Sequence, residues 1–129
     1  MTAFATGCEG GDDSGPPPYA PHPDDAKLVR GWASVQSVEI RPRPGRPDRF
    51  QLILRGNMPT PCHSWRASVS GPADEDRIDI ELYSVVDPAI VCIQVIGDFE
   101  GAIELPPVAR RTEVRINGER VGFLGGDHQ

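Results

Sequence analysis

Two cysteines, Cys62 and Cys92, constrain the fold of this chain more than any other feature of its sequence. Each follows residues with β-strand character, 50–54 in the first case and Ile90-Val91 in the second. The third cysteine, Cys8, lies in a run of small residues, so the simplest pairing in an oxidising compartment joins Cys62 to Cys92. Such a bond would close a loop of about 31 residues and contribute roughly 3.5–4 kcal/mol in the chain-entropy model. That is comparable to the net stability of many small domains.

Short runs with strand character recur along the chain, and the residues between them are rich in Gly, Pro, Asn and Asp. The alternation is clearest at 77–86. Asn117-Gly118 predicts a type I′ hairpin, because both of its turn positions need positive φ. About seven strands favour an all-β fold, a small antiparallel immunoglobulin-like β-sandwich, with a small barrel as the alternative. The candidate strands are 35–40, 50–54, 62–70, 77–86, 90–96, 102–105, 112–116 and 119–123, and 90–96 is interpreted as a buried or bulged strand.

The flanks of the predicted domain, residues 27–124, differ from it in composition. Residues 1–26 are rich in Gly and Pro and predict a disordered N-terminal tether, and residues 125–129 predict a frayed tail. At 24–34 the sequence favours either a short helix, with Asp24 as its N-cap, or a lead into the first strand. Three prolines and a glycine predict a break after residue 40; they are Pro42, Pro44, Gly45 and Pro47.

The charge of the chain argues against nucleic acid as a partner. The formal net charge is −6 at pH 7, which a phosphate backbone repels. Lys27 is the only lysine, and the arginines are scattered instead of forming a basic stripe. The sequence also has no apolar run long enough to span a membrane.

The residues before Cys8 resemble the end of a bacterial lipoprotein signal, in which small side chains precede a cysteine that becomes acylated. The position three before Cys8 is Ala5, where Leu is usual, and only seven residues precede Cys8. Either the gene starts upstream, the chain is a fragment, or the resemblance is accidental. Cys8 is therefore a candidate lipid anchor for an extracytoplasmic protein, and the alternative is a chance cysteine in a disordered N-terminus.

A second resemblance covers about residues 35–124. The chain is similar to a group of uncharacterised bacterial secreted or lipoprotein-type domains with a Gly-x-x-Pro-x-x-Cys element, a second cysteine about thirty residues on, and a closing Val-x-Val-Asn-Gly hairpin. The resemblance implies an exported, disulfide-bonded β-domain, often accessory to a larger protein. The matching residues are Gly56, Pro59, Cys62, Cys92, Phe99, Leu105, Val114, Ile116, Asn117 and Gly118.

Other chemistries for the cysteines are weaker. Cys62, His63 and Cys92 offer three zinc ligands, but a structural zinc site usually has four at closer spacings. A thiol nucleophile with His63 as its base is disfavoured, because adjacent strand residues point to opposite faces. The acidic segment 74–81 lacks the EF-hand pattern and predicts a solvated turn. We therefore predict no metal, no cofactor and no catalytic residue.

Three function classes follow from these residues. The first is a non-enzymatic extracytoplasmic accessory or binding domain, tethered through Cys8, with His63, Arg66 and Tyr83 as a possible contact patch for a protein or glycan. The second is an inhibitor-like domain that presents residues 57–61 to a target enzyme, since two prolines would stiffen that loop before binding. The third, a metal- or thiol-dependent hydrolase, is the least favoured.

Overall fold

The computed structural model describes residues 17–72 and 76–125, which form one 3₁₀ helix and eight β-strands. None of the described helices is long and apolar enough to cross a membrane. In chain order the elements are the 3₁₀ helix Pro23–Lys27, β1 Val29–Gly31, β2 Ser34–Arg43, β3 Arg46–Met58, β4 Ser64–Ser70, β5 Arg77–Val86, β6 Gly97–Glu104, β7 Thr112–Ile116 and β8 Glu119–Leu124.

The strands form two sheets, which confirms the predicted β-sandwich. One sheet has three antiparallel strands in the order β2-β3-β6, and the other has five strands with β5 at its centre. Both β1 and β4 pair with Val85, so they lie on opposite edges of β5. β4 and β7 both pair with Asp79 and Ile80, so they also lie on opposite edges of β5. β7 therefore shares an edge with β1. The β5–β7 pair is parallel and departs from the purely antiparallel arrangement that the sequence predicts.

The core lies between the sheets because apolar side chains alternate along the central strands. In β5, Ile78, Ile80 and Leu82 are buried, and in β3 the same holds for Leu52 and Leu54. The remaining buried apolar residues of this core come from the other strands and the loops, and they are Met58, Ala67, Phe99, Ile103, Leu105, Val108, Val114, Ile116 and Leu124.

Asn117 has two functions in the fold. Its positive φ of 51° forms the predicted turn between β7 and β8. In addition, its side-chain amide accepts a hydrogen bond from the backbone N–H of Leu82 at 2.9 Å and donates one to the carbonyl oxygen of Leu82 at 3.0 Å. Along this edge of β5, the pairing with β7 ends at Ile80 and the pairing with β1 begins at Ser84. The Asn117 amide therefore provides hydrogen-bond partners for the backbone of β5 in the gap between these two strands.

Tyr19 joins the two sheets along the side where β4 and β6 are edge strands. Its carbonyl accepts from the backbone N–H of Ala67 in β4 at 2.9 Å. Its hydroxyl accepts from the N–H of Glu104 in β6 at 3.1 Å. The described part of the predicted N-terminal segment, residues 17–26, therefore packs on the sandwich, and the folded body begins before residue 27. Residues 1–16 lie outside the described residues.

The most consequential error of the sequence prediction is the strand at 90–96. These residues form an exposed loop between β5 and β6. A continuous apolar run fits a buried strand in composition, but the central strands of both sheets already have paired edges. The Cys62–Cys92 bond holds the segment at the end of the sandwich instead.

Two smaller predictions at the start of the domain also differ from the structure. The helix is a five-residue 3₁₀ helix with His22 as its N-cap, followed directly by β1. The prolines do not end the strand at residue 40, because β2 continues through Pro42. An edge strand tolerates proline since one side of its backbone needs no partner, and β2 is an edge strand.

We expect Asn117→Gly to lower the free energy of unfolding by about 1–3 kcal/mol, because it keeps the positive φ of the turn and removes both hydrogen bonds to Leu82. Urea denaturation measures the change. Gly118→Ala is the matched control for the turn alone, since nothing surrounds the added methyl group and only the backbone is strained. An Asn117→Gly protein as stable as wild type would show that the amide contributes nothing.

Candidate functional site

Two loops are tied together at one end of the sandwich. The disulfide joins Cys62, just before β4, to Cys92, between β5 and β6, with 6.2 Å between the Cα atoms. A Cβ on Gly97, the first residue of β6, would lie 2.5 Å from the carbonyl oxygen of Thr60, so the chain that leaves the second loop packs on the backbone of the first. The Asn57 amide donates to the Asp98 carboxylate at 2.8 Å. The disulfide predicted from the sequence is thus present, together with contacts on both sides of it.

The second of these loops, residues 88–96, carries a concentration of exposed apolar side chains, and we call it the apolar loop. Val91 is 97% exposed, and the other four large aliphatic side chains are each more than half exposed. No charged residue occurs between Asp87 and Asp98. Scattered single apolar residues are normal on a protein surface, but a contiguous group usually marks an interaction site. The five side chains are Ile90, Val91, Ile93, Val95 and Ile96.

Trp32 is another exposed apolar side chain, and its neighbour Gly31 lies close to the residue that follows Cys62. It is 50% exposed and follows Gly31, where a Cβ would lie 3.2 Å from Nε2 of His63. His63 in turn follows Cys62, the residue bonded to Cys92. The backbone before Trp32 therefore packs beside the residue that follows Cys62.

A groove of about 550 Å³ lies on the side of the sandwich that Tyr19 closes, and we call it the aromatic groove. The Trp65 ring stacks on Tyr19 with centroids 5.1 Å apart and on Phe99 with centroids 5.6 Å apart. Burial raises the pKa of the Tyr19 phenol. The lining residues are Pro18, Tyr19, Met58, His63, Ser64, Trp65, Arg66, Gly101 and Ala102.

The predicted contact patch is half-buried, and its members already have intramolecular partners. His63 Nδ1 is 2.8 Å from the Thr60 hydroxyl. Arg66 lies opposite Tyr83 in the β4–β5 register, and its guanidinium forms two hydrogen bonds to the Asp25 carboxylate, at 3.1 and 3.2 Å. The remaining member, Tyr83, lies under the guanidinium of Arg30, 3.8 Å from the ring centroid. His63 and Arg66 both line the aromatic groove.

The loop proposed for an inhibitor does not protrude. Residues 57 and 58 belong to β3, and Met58 and Thr60 are buried. The exposed loop at this end is instead the apolar loop to which it is bonded. The geometry therefore does not favour presentation of residues 57–61 to an enzyme.

The other predicted sites are the two paired cysteines, Cys8 and the acidic segment. In the disulfide the sulfurs of Cys62 and Cys92 bond to each other, so neither is a free thiolate for zinc or for nucleophilic attack. Within residues 17–72 and 76–125, no three His, Cys, Asp or Glu side chains are grouped to hold a metal ion. The candidate lipid anchor, Cys8, lies outside the described residues, as do Asp74 and Glu75 of the acidic segment.

Residues 52–123, more than half of the chain, match the family described as the ORF11 beta-sandwich domain. The chain therefore belongs to this family of β-sandwich domains. Neither a curated protein nor a solved structure matches it.

The sequence predicts the disulfide but not the exposed apolar loop beside it. The apolar loop was hidden because a continuous aliphatic run has the composition of a buried strand. One signal in the sequence favours a loop: the run directly follows Asp87-Pro88, which turns the chain.

The Asp25–Arg66 pair predicts a pH-dependent contribution to stability. Hydrogen bonds from the Arg66 guanidinium hold the pKa of Asp25 below its usual range. Because the folded-state pKa is lowered, the contribution is present above about pH 4 and is lost as pH falls through the folded-state value. We expect Asp25→Asn to cost about 1–2 kcal/mol at pH 7 and progressively less below pH 4, measured by urea denaturation. Asp24→Asn is the control at the exposed neighbouring carboxylate, and a cost that does not depend on pH would contradict this account.

A substitution under the aromatic stack tests its packing. A Cβ on Gly101 would lie 2.1 Å from Cζ2 of Trp65, so we expect Gly101→Ala to destabilise the protein by about 2–3 kcal/mol. In a Trp65→Phe background the smaller ring leaves room for the methyl group, and the added cost should fall below about 1 kcal/mol. An equal cost in both backgrounds, measured by thermal or urea unfolding, would show that the indole is not the obstacle.

Proposed function

We propose that this protein is a non-enzymatic, extracytoplasmic binding module that contacts a partner protein through the apolar loop. The observation that carries the proposal is the group of five large aliphatic side chains exposed on a loop that a disulfide ties to the sandwich. A loop already held in place loses little conformational entropy on binding. Aliphatic side chains favour a protein partner over a glycan, since they offer apolar area without hydrogen-bonding groups.

The proposed location rests on the disulfide and on the residues around Cys8. Disulfides persist in oxidising compartments and are rare in the cytosol of mesophiles, so the Cys62–Cys92 bond is compatible with export. Acylation of Cys8 would hold the domain at a membrane surface, and the Gly- and Pro-rich residues that follow would space it from that surface.

Site-specific photo-crosslinking in the native host tests the binding surface. We expect a photoreactive amino acid at Val91 to give a discrete adduct with a partner protein, because this side chain is almost fully exposed at the centre of the apolar loop. The matched control position is Phe123, another exposed apolar residue. Phe123 pairs with Glu113, and Glu113 pairs with Arg77, so this position lies at the other end of β5. Equal labelling at both positions, or none at Val91, would remove the support for this surface.

Metabolic labelling with a lipid probe tests the tether. We expect the probe to label the protein in the membrane fraction and Cys8→Ser to abolish the label, because the acyl chains need the thiol. Ser14→Ala is the control, since it leaves the Cys8 thiol and the Cys62–Cys92 disulfide in place. A wild-type protein that is never labelled would disprove the lipid anchor and leave the binding surface to be judged by crosslinking.

A further inference from the structure

The backbone of the apolar loop is as distinctive as its side chains. From Val91 to Ile96 none of the six backbone N–H groups donates a hydrogen bond within the described residues. The preceding residue, Ile90, donates to the carbonyl oxygen of Asp87 at 3.2 Å, and from Gly97 onward β6 pairs with β3. The loop is thus a short exposed segment that combines apolar side chains with backbone N–H groups that have no partner within the described residues; of its carbonyl groups, that of Cys92 accepts from the Gln94 side chain.

This combination argues against a lipid bilayer as the partner. Insertion of the loop would carry its unpaired backbone groups into hydrocarbon, where each costs several kcal/mol. The net charge of −6 would also be repelled by an anionic membrane surface. A polypeptide can satisfy both requirements, because another strand offers carbonyl and N–H partners together with apolar side chains.

Two carboxylates define the charge at the ends of the loop. Asp87 and Asp98 are exposed, and neither forms an ion pair within the described residues. In antiparallel pairing of two copies of the loop, Asp87 of one copy would lie opposite Asp98 of the other, and parallel pairing would oppose identical residues. Like charges directly opposite one another are destabilising. A partner with Lys or Arg at both ends complements the loop better than a second copy does.

We propose that the apolar loop binds by β-strand addition to an extended segment of a partner protein, one with alternating apolar side chains and a basic residue at each end. The proposal rests on the proposed function and adds the chemistry of the partner. Val91 and Ile93 flank Cys92, whose side chain is turned toward the body by its bond to Cys62. Those two aliphatic side chains are the most exposed of the five and would contact alternate side chains of the added strand.

Selection of random decapeptides on the full-length, oxidised protein tests the proposal. We expect the enriched peptides to alternate apolar and polar residues, to lack proline, and to carry Lys or Arg at both ends. A synthetic peptide of that kind should bind about tenfold more tightly than the same peptide with Glu at both ends, and its binding should weaken with salt. N-methylation of alternate backbone nitrogens should abolish binding, since it removes the donors that a strand needs.

Variants of the protein show whether the loop is the site. Val91→Asp combined with Ile93→Asp should abolish peptide binding and leave the thermal unfolding midpoint unchanged, because both side chains are exposed. Phe123→Asp should leave peptide binding unchanged, because this ring lies under Arg111 and Arg120 at the other end of β5. Binding that survives the double substitution would place the peptide elsewhere and overturn the proposal.

Other outcomes also overturn the proposal and are separable from a failure of the proposed function. Enrichment of helical or acidic peptides would rule out addition of a basic strand. Cosedimentation with vesicles of equal parts phosphatidylcholine and phosphatidylglycerol, lost in the double variant, would identify a membrane surface instead. A dimer lost in that variant, observed by sedimentation velocity, would identify a second copy. If crosslinking at Val91 still yields a partner in any of these cases, the binding module stands and only the chemistry of its partner is wrong.

Discussion

The covalent bond between Cys62 and Cys92 is the constraint on which the rest of this structure depends. It closes a loop that includes β4 and β5, and a loop of this length contributes about 4 kcal/mol in the chain-entropy model. It also restrains a group of aliphatic side chains in water, although the hydrophobic effect alone would favour their burial. Directly after the loop, where β6 pairs with β3, Gly97 packs against Thr60 and Asn57 donates a hydrogen bond to Asp98.

Two residues, Asn117 and Tyr19, satisfy backbone groups at strand edges of the sandwich. An edge strand presents unpaired backbone groups that attract other chains. Asn117 satisfies the gap beside Leu82, and Tyr19 bridges β4 and β6. In contrast, the backbone N–H groups of the apolar loop have no partner within the described residues. The contrast supports interpretation of the loop as a binding surface.

The sequence predicted those parts of the fold that depend on local patterns. Alternation located β5, Asn117-Gly118 located the last hairpin, and the cysteine pattern located the disulfide. The parallel β5–β7 pair was not predictable in this way, because it joins segments far apart in the sequence. The bridging role of Tyr19 was also missed, since its proline-rich surroundings have the composition of a tether. The exposure of Val91 and its neighbours depends on which sheet edges are already occupied, and no local pattern records that.

A peptide map of the protein purified from its native host without reductant shows whether the Cys62–Cys92 bond forms in the cell. After alkylation of free thiols and proteolysis, we expect the peptides containing Cys62 and Cys92 to be recovered as one cross-linked species, which separates on reduction. Recovery of both cysteines as separate alkylated peptides would contradict it, because the apolar loop would then have no covalent tie to the sandwich.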